Sequence, residues 1–221
     1  VTLFSDNIYA RPGIKNVSRN IFSGNIADCG CKGVFEARGE IFTVGTDGTA
    51  TNITRTPGIR ETYPAWSPDG KWIAYFSDAS GEFDLYIKAA DGKGEAKIIT
   101  SNSDCYRAYP VWSPDSKKIM FGDAKVNLFF VDIASKKVTK VDQGKFARAT
   151  NFMFGTWSPD SNWIAYSKPD TNQLYSIFLY SLAEGKSHRV TSKMTDDREP
   201  AFDPEGKYLY FLANRQMNTR W

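Results

Sequence analysis

The sequence predicts an all-β fold, a β-propeller of four-stranded antiparallel blades. A repeat carries the prediction. The stretch Pro64-Ala65-Trp66-Ser67-Pro68-Asp69-Gly70-Lys71-Trp72-Ile73-Ala74-Tyr75 returns as Pro110-Val111-Trp112-Ser113-Pro114-Asp115-Ser116-Lys117-Lys118-Ile119-Met120-Phe121 and as Gly155-Thr156-Trp157-Ser158-Pro159-Asp160-Ser161-Asn162-Trp163-Ile164-Ala165-Tyr166. A looser copy is Pro200-Ala201-Phe202-Asp203-Pro204-Glu205-Gly206-Lys207-Tyr208-Leu209-Tyr210-Phe211. The middle prolines stand at 68, 114, 159 and 204, steps of 46, 45 and 45 residues, and a fixed period of that size marks a repeat architecture. Each period also holds four short β-prone segments divided by turn residues, which is the make-up of a propeller blade. No segment carries a helical period.

The unit around Pro64 justifies each strand in turn. Tyr63-Pro64-Ala65-Trp66 is stopped by Ser67-Pro68-Asp69-Gly70, a tight turn in which proline presets φ, aspartate bonds nearby backbone and glycine accepts a positive φ. Trp72-Ile73-Ala74-Tyr75-Phe76 is aromatic and β-branched, as a strand should be. Asp78-Ala79-Ser80-Gly81 turns again, and Asp84-Leu85-Tyr86-Ile87-Lys88 is the third strand. Asp91-Gly92-Lys93-Gly94 leads to Ala96-Lys97-Ile98-Ile99-Thr100, the fourth. The next units repeat this with Asn127–Asp132 and Lys137–Val141, then Gln173–Tyr180 and His188–Thr191.

A degenerate unit precedes Pro64. Gly33–Ala37, Glu40–Val44 and Thr51–Thr54 stand for its second, third and fourth strands, and Asp28-Cys29-Gly30-Cys31-Lys32 replaces the Ser-Pro-Asp-Gly turn. At the far end, Glu199–Phe202 and Tyr208–Leu212 supply two strands only. The N-terminal Asn7-Ile8-Tyr9-Ala10 and Lys15-Asn16-Val17-Ser18 read like the missing pair. One domain is therefore expected over 1–221, with units at about 20–57, 58–102, 103–146, 147–193, and 194–221 completed by 1–19. Such pairing would close a five-bladed ring and leave no open strand edge. The rival expectation is a piece of a larger propeller.

Composition bounds function. Of 221 residues, 41% are hydrophobic and 24% charged, and the net charge is +3 with no basic stripe, so nucleic acid is not an expected partner. No apolar run approaches the roughly 18 residues that span a membrane, and membrane insertion is not expected. Three cysteines, Cys29, Cys31 and Cys105, make no disulfide framework and are expected as buried or incidental thiols. With His188 they fall short of a zinc site; no metal and no cofactor are expected.

There is no G-x-S-x-G elbow, no H-E-x-x-H and no phosphate-binding glycine loop, so no catalytic residue is assigned. His188 falls in a fourth strand, the outer edge of a blade, and reads as an exposed edge histidine. Asp69, Asp115 and Asp160 read first as turn residues. A more promising set precedes the first strands: Arg60-Glu61-Thr62-Tyr63, Tyr106-Arg107-Ala108-Tyr109, Arg148-Ala149-Thr150-Asn151 and Asp197-Arg198-Glu199. First strands line a propeller's channel, so Arg60, Glu61, Tyr63, Arg107, Tyr109, Arg148, Asn151, Arg198 and Glu199 are expected to ring one mouth. There they would hold peptide carboxylates or a partner's acidic side chains, or else pair with one another between blades.

The Pro-x-Trp-Ser-Pro-Asp-Gly-Lys-x-Ile-Ala unit resembles the propeller repeat of TolB and of tricorn-type proteases. Phe35–Val44, Gly58-Ile59-Arg60-Glu61, Val141-Asp142-Gln143 and Ser161–Ser167 narrow the resemblance to tricorn proteases and their bacterial homologues, over nearly the whole chain. Propellers of that family have six or seven blades. Nothing in the chain resembles the PDZ and peptidase domains that carry the family's catalytic serine and histidine. The resemblance thus implies a non-catalytic propeller that guides or filters peptides for the parent protein's serine-peptidase domain. The alternative is a TolB-like scaffold binding another protein. An enzymatic site on the propeller itself is disfavoured by the missing motifs.

Overall fold

Each Ser-Pro-Asp turn is built by its own side chains. Ser67 Oγ donates to Asp69 Oδ1 at 2.6 Å and accepts the Trp72 N–H at 2.9 Å, while the Lys71 N–H donates to the same carboxylate at 3.1 Å. Ser113 repeats this with Asp115 and Lys118 at 2.5 and 2.9 Å, and Ser158 with Asp160 and the Trp163 N–H. All three serines are buried, so each hydroxyl satisfies a backbone donor that burial would otherwise orphan. The residue after the acid has a positive φ in all four copies: 70° at Gly70, 57° at Ser116, 61° at Ser161 and 72° at Gly206. Where it is serine it also latches neighbouring turns, because the Asp69 N–H donates to Ser116 Oγ and the Asp115 N–H to Ser161 Oγ, both at 3.1 Å.

The computed structural model describes residues 18–144 and 153–214. The expected completion of the last unit by the N-terminal segment falls almost wholly outside them, as do Arg148 and Asn151. Among the described residues the only helical element is a 3-10 turn, Ser18–Asn20. The rest is antiparallel sheet. Sheet one holds β1 (Ile21–Ile26), β2 (Lys32–Ala37), β3 (Glu40–Gly45) and β4 (Ala50–Asn52). Sheet two holds β5 (Glu61–Trp66), β6 (Trp72–Ser77), β7 (Asp84–Ala89) and β8 (Lys97–Ile98); sheet three, β9 (Arg107–Trp112), β10 (Lys118–Asp123), β11 (Asn127–Asp132) and β12 (Val138–Gln143). Sheet four holds β13 (Gly155–Trp157), β14 (Trp163–Pro169), β15 (Tyr175–Ser181) and β16 (Lys186–Arg189), and the fifth is the hairpin β17 (Asp196–Phe202) with β18 (Leu209–Asn214).

Strand order follows chain order within each sheet, the meander that a propeller blade requires. The all-β expectation holds. Strand β8 is shorter than its expected five residues because the Thr100 hydroxyl, not a ladder carbonyl, accepts the Leu85 N–H at 2.9 Å. His188 sits in the outermost strand of sheet four, half exposed, with Nε2 at 2.8 Å from Glu184.

One expectation is corrected. Cys29 and Cys31 are neither buried nor free thiols: both are exposed and joined by a disulfide across one residue. The turn explains it, since Gly30 with φ 64° folds the two side chains to the same side.

Successive sheets pack face to face. Ile73 and Tyr75 of β6 meet Val34 and Ile41 of sheet one, while Ala74 and Phe76, on the other face of the same strand, meet Trp112, Ile119 and Phe121 of sheet three. A third layer joins Met120 and Leu128 to Trp157, Ile164 and Tyr166. Tryptophans of the repeat tie the layers: Trp112 Nε1–H donates to the Ala65 carbonyl at 3.0 Å and Trp157 Nε1–H to that of Val111 at 3.1 Å. In these two copies the indole body is buried and its one donor satisfied, whereas the buried Trp66 Nε1–H has no partner among the described residues.

Candidate functional site

The first strand of three sheets carries the same defect. In β5, Thr62 pairs with Phe76 and Ala65 with Ala74, so Tyr63 and Pro64 together oppose one residue. Tyr109-Pro110 in β9 and Glu199-Pro200 in β17 do likewise. These are β-bulges, and in each the first residue has a positive φ: 52° at Tyr63, 58° at Tyr109 and 54° at Glu199. Such a φ strains a non-glycine residue by an amount on the order of 1 kcal/mol. Proline follows each time and has no N–H to lose from the ladder. The bulge re-aims the tyrosines out of the sheets and toward one another.

A cleft of about 520 Å³ results, bounded by the first strands of sheets one, two and three. Its wall is aromatic: the rings of Tyr63 and Tyr109 lie 4.5 Å apart between centroids and those of Tyr63 and Tyr106 6.4 Å, while Phe154, outside the lining, packs on Tyr109 at 4.9 Å. Burial, with hydrogen bonds to Tyr106 and Tyr109, holds the Tyr63 phenol above its ordinary range, so it stays a neutral donor. The bulge itself is braced from sheet one. Glu36 Oε2 accepts the Tyr63 N–H at 3.2 Å and the Ser23 hydroxyl at 2.7 Å.

Arg60 supplies the positive charge. It is exposed at the edge of the cleft, its backbone N–H donates to Asp78 at 2.8 Å, and among the described residues its guanidinium has no ion-pair partner. Arg60, Tyr63 and Tyr109 are therefore the sequence-selected residues that the fold brings together.

The others go elsewhere. Arg107 turns between sheets two and three, where its guanidinium meets Asp84 at 3.2 Å and Thr100 at 2.9 Å over the face of Phe121. Glu61 is 2% exposed; Thr56 donates to its Oε1 at 2.7 Å and its Oε2 has no partner. Burial pushes its carboxyl up to about 7 against the bonds from Thr54 and Thr56. Arg198, on the fifth sheet, pairs with Asp196 at 3.1 Å and lies 4.0 Å over the Tyr175 ring, and Glu199 is exposed beside it.

Sequence reasoning missed Glu36 and Phe154. The signal for Glu36 was present: by register it occupies the position of Phe76, Gly122, Ser167 and Leu212, so an acid stands where the other copies carry no charge. Among the described residues no three His, Cys, Asp or Glu side chains gather as a metal site, and no helix is long and apolar enough to cross a membrane.

This geometry and the repeat can be set beside known proteins. A tricorn protease homologue of Saccharolobus solfataricus is 29% identical over 183 residues, covering 82% of this chain and 16% of its own length. Tricorn protease homolog 1 of Streptomyces coelicolor is 27% identical over 176 residues, covering 77% of this chain and again 16% of the relative. The chain thus spans about a sixth of the relatives it matches. Among solved structures, that of the tricorn protease superposes with a TM-score of 0.75 at 22% identity, over 89% of this chain and 19% of the other. A TolB protein of Agrobacterium tumefaciens gives 0.64 at 19%, over 88% of this chain and 70% of its own. At those identities the superpositions speak for the propeller fold alone. The family model of the tricorn protease second beta propeller domain matches residues 24–221, nearly the whole length, and the chain belongs to that family.

Proposed function

We propose that this propeller is the non-catalytic, peptide-guiding part of a tricorn-like protease, holding peptide segments for a separate serine-peptidase domain. One observation carries the proposal: Arg60, whose guanidinium has no ion-pair partner among the described residues, stands beside the tyrosine wall of Tyr63, Tyr106 and Tyr109 in a cleft of about 520 Å³. Guanidinium binds a carboxylate through paired N–H donors, and tyrosine and phenylalanine faces accept many side chains with little geometric demand. That combination suits loose, sequence-tolerant capture. Full ordering of a peptide would need more polar partners than the cleft offers.

The test is titration of short peptides onto the isolated chain, with cleavage followed in parallel. Binding without cleavage is expected, and Arg60→Ala should weaken it about tenfold, the size of one charge-assisted hydrogen bond. Binding indifferent to both Arg60→Ala and Tyr109→Ala would remove the cleft from consideration. A second reading, a scaffold for a folded protein, is favoured by the exposure of Phe22, at 79%, in the lining of the cleft, and of Phe154, at 53%, against Tyr109. Peptide binding that is undetectable while a folded partner binds tightly would select it.

A further inference from the structure

The turn of sheet one differs chemically from every other turn of the repeat, and the difference concerns Cys29 and Cys31. By register, Ala27 takes the place of Ser67, Cys29 that of Asp69 and Cys31 that of Lys71. In place of the hydroxyl–carboxylate bond that fastens the three Ser-Pro-Asp turns, this turn carries the disulfide between Cys29 and Cys31. The backbone of the turn is unchanged. The Ala27 N–H donates to the Lys32 carbonyl at 2.9 Å and the Gly30 N–H to Ala27 at 2.8 Å, the same lengths as Ser67 to Trp72 and Gly70 to Ser67. A turn that forms identically in sheets with no cysteine does not need the sulfur bridge to exist. Nor does the bridge close a useful loop. It spans two positions of sequence, and loop-entropy stabilisation is smallest for the shortest rings.

Two further features leave the pair accessible. Both cysteines are exposed. The latch that ties the Asp69 amide to Ser116 and the Asp115 amide to Ser161 has no counterpart here, because the matching residue of sheet two is Gly70, which has no hydroxyl. Among the described residues the one hydrogen bond to either sulfur is local, from the Cys31 N–H to Cys29 Sγ at 3.3 Å.

We propose that Cys29 and Cys31 form a thiol–disulfide exchange site, open to low-molecular-weight thiols and reversible without unfolding. The thiolate of the small thiol attacks one sulfur, breaks the S–S bond and forms a mixed disulfide, with the other cysteine leaving as thiolate. A second small thiol then attacks the mixed disulfide and leaves with the first as an oxidised pair. Two small thiols are oxidised, one protein disulfide is reduced, and the two protons end on the protein cysteines. Cys105 stays outside this chemistry: burial, with the nearby Asp123 carboxylate, pushes its thiol up to about 11, leaving little reactive thiolate near neutrality.

The experiment equilibrates the whole chain in glutathione buffers of graded redox ratio, quenches with acid, alkylates and reads each cysteine by peptide mass. Cys29 and Cys31 should gain label together at millimolar reduced glutathione in native buffer, and regain the bridge when the ratio is reversed. Thermal unfolding should move by no more than about 5 °C between the two forms. The Cys29→Ser, Cys31→Ser double variant should fold with a melting temperature in that same range. The proposal is overturned if the pair resists reduction until denaturant is added, if reduction or the double variant abolishes folding, or if the air-equilibrated chain carries both cysteines as free thiols.

Discussion

Glu61 shows how a single side chain ties the site to stability. It stands two residues before Tyr63 of the cleft, yet its carboxyl is buried with one oxygen unpartnered. Its folded-state pKa of about 7 lies above the ordinary 4.5, so between those values the folded chain holds a proton that the unfolded chain has released. Stability from this group is complete below about pH 4.5, falls as pH rises through about 7, and the full penalty, on the order of 3 kcal/mol, applies above that. Glu61→Gln removes the titration. Urea midpoints at pH 5 and pH 8 should differ clearly less in the variant than in the parent chain. An unchanged pH difference would mean that Glu61 is ionised and solvated in the folded protein. The readout is the slope with pH, because a glutamine amide at the unpartnered position carries its own cost at every pH.

At the scale of the element, the Ser-Pro-Asp turn and the first-strand bulge divide what local sequence can and cannot reveal. Ser113, 0% exposed, gives one hydrogen bond to Asp115 and accepts another from Lys118, so Ser113→Ala should cost about 1–3 kcal/mol by thermal or urea unfolding. A cost near zero would show that the backbone alone makes the turn, as it does around Gly30. These turns were legible because every partner lies within five residues. The bulge was not: its signature is a bulky residue before proline three places ahead of the tryptophan, and nothing in Tyr63-Pro64 by itself calls for a positive φ. Arg107 was misdirected for a different reason. Its partner Asp84 lies 23 residues earlier, in the third strand of the neighbouring sheet, and only the packing of two sheets brings them to 3.2 Å. The sequence could pose the choice between a channel-mouth arginine and an inter-blade ion pair, and packing puts Arg107 in such a pair while Arg60 stands exposed beside the cleft. Cys29 and Cys31 failed on the odd cysteine count, although their place in a four-residue turn was the stronger signal.

Across the whole molecule, the repeat register shows which surfaces are built to be covered. Tyr208, Tyr210 and Leu212 take the positions of Trp72, Ala74 and Phe76, and Ala74 and Phe76 are fully buried against sheet three. On the fifth sheet the same positions are 64%, 59% and 63% exposed. At the opposite end Ile26, in the position of Trp66, is 68% exposed where Trp66 is 6%. The two surfaces are the two sides of one repeating interface, so they complement each other, and complementary but different patches associate head to tail. Apolar surface of this kind seldom stays open to water. The isolated chain should therefore self-associate with rising concentration in sedimentation velocity, and Tyr210→Lys with Leu212→Lys should return it toward monomer without loss of the sheet signal in circular dichroism. Lysines suit the purpose because they tolerate a strand edge while forbidding an apolar partner. A chain that is monomeric at about 100 μM, well above a micromolar dissociation constant for a modest interface, would mean that other parts of the same chain already cover both faces.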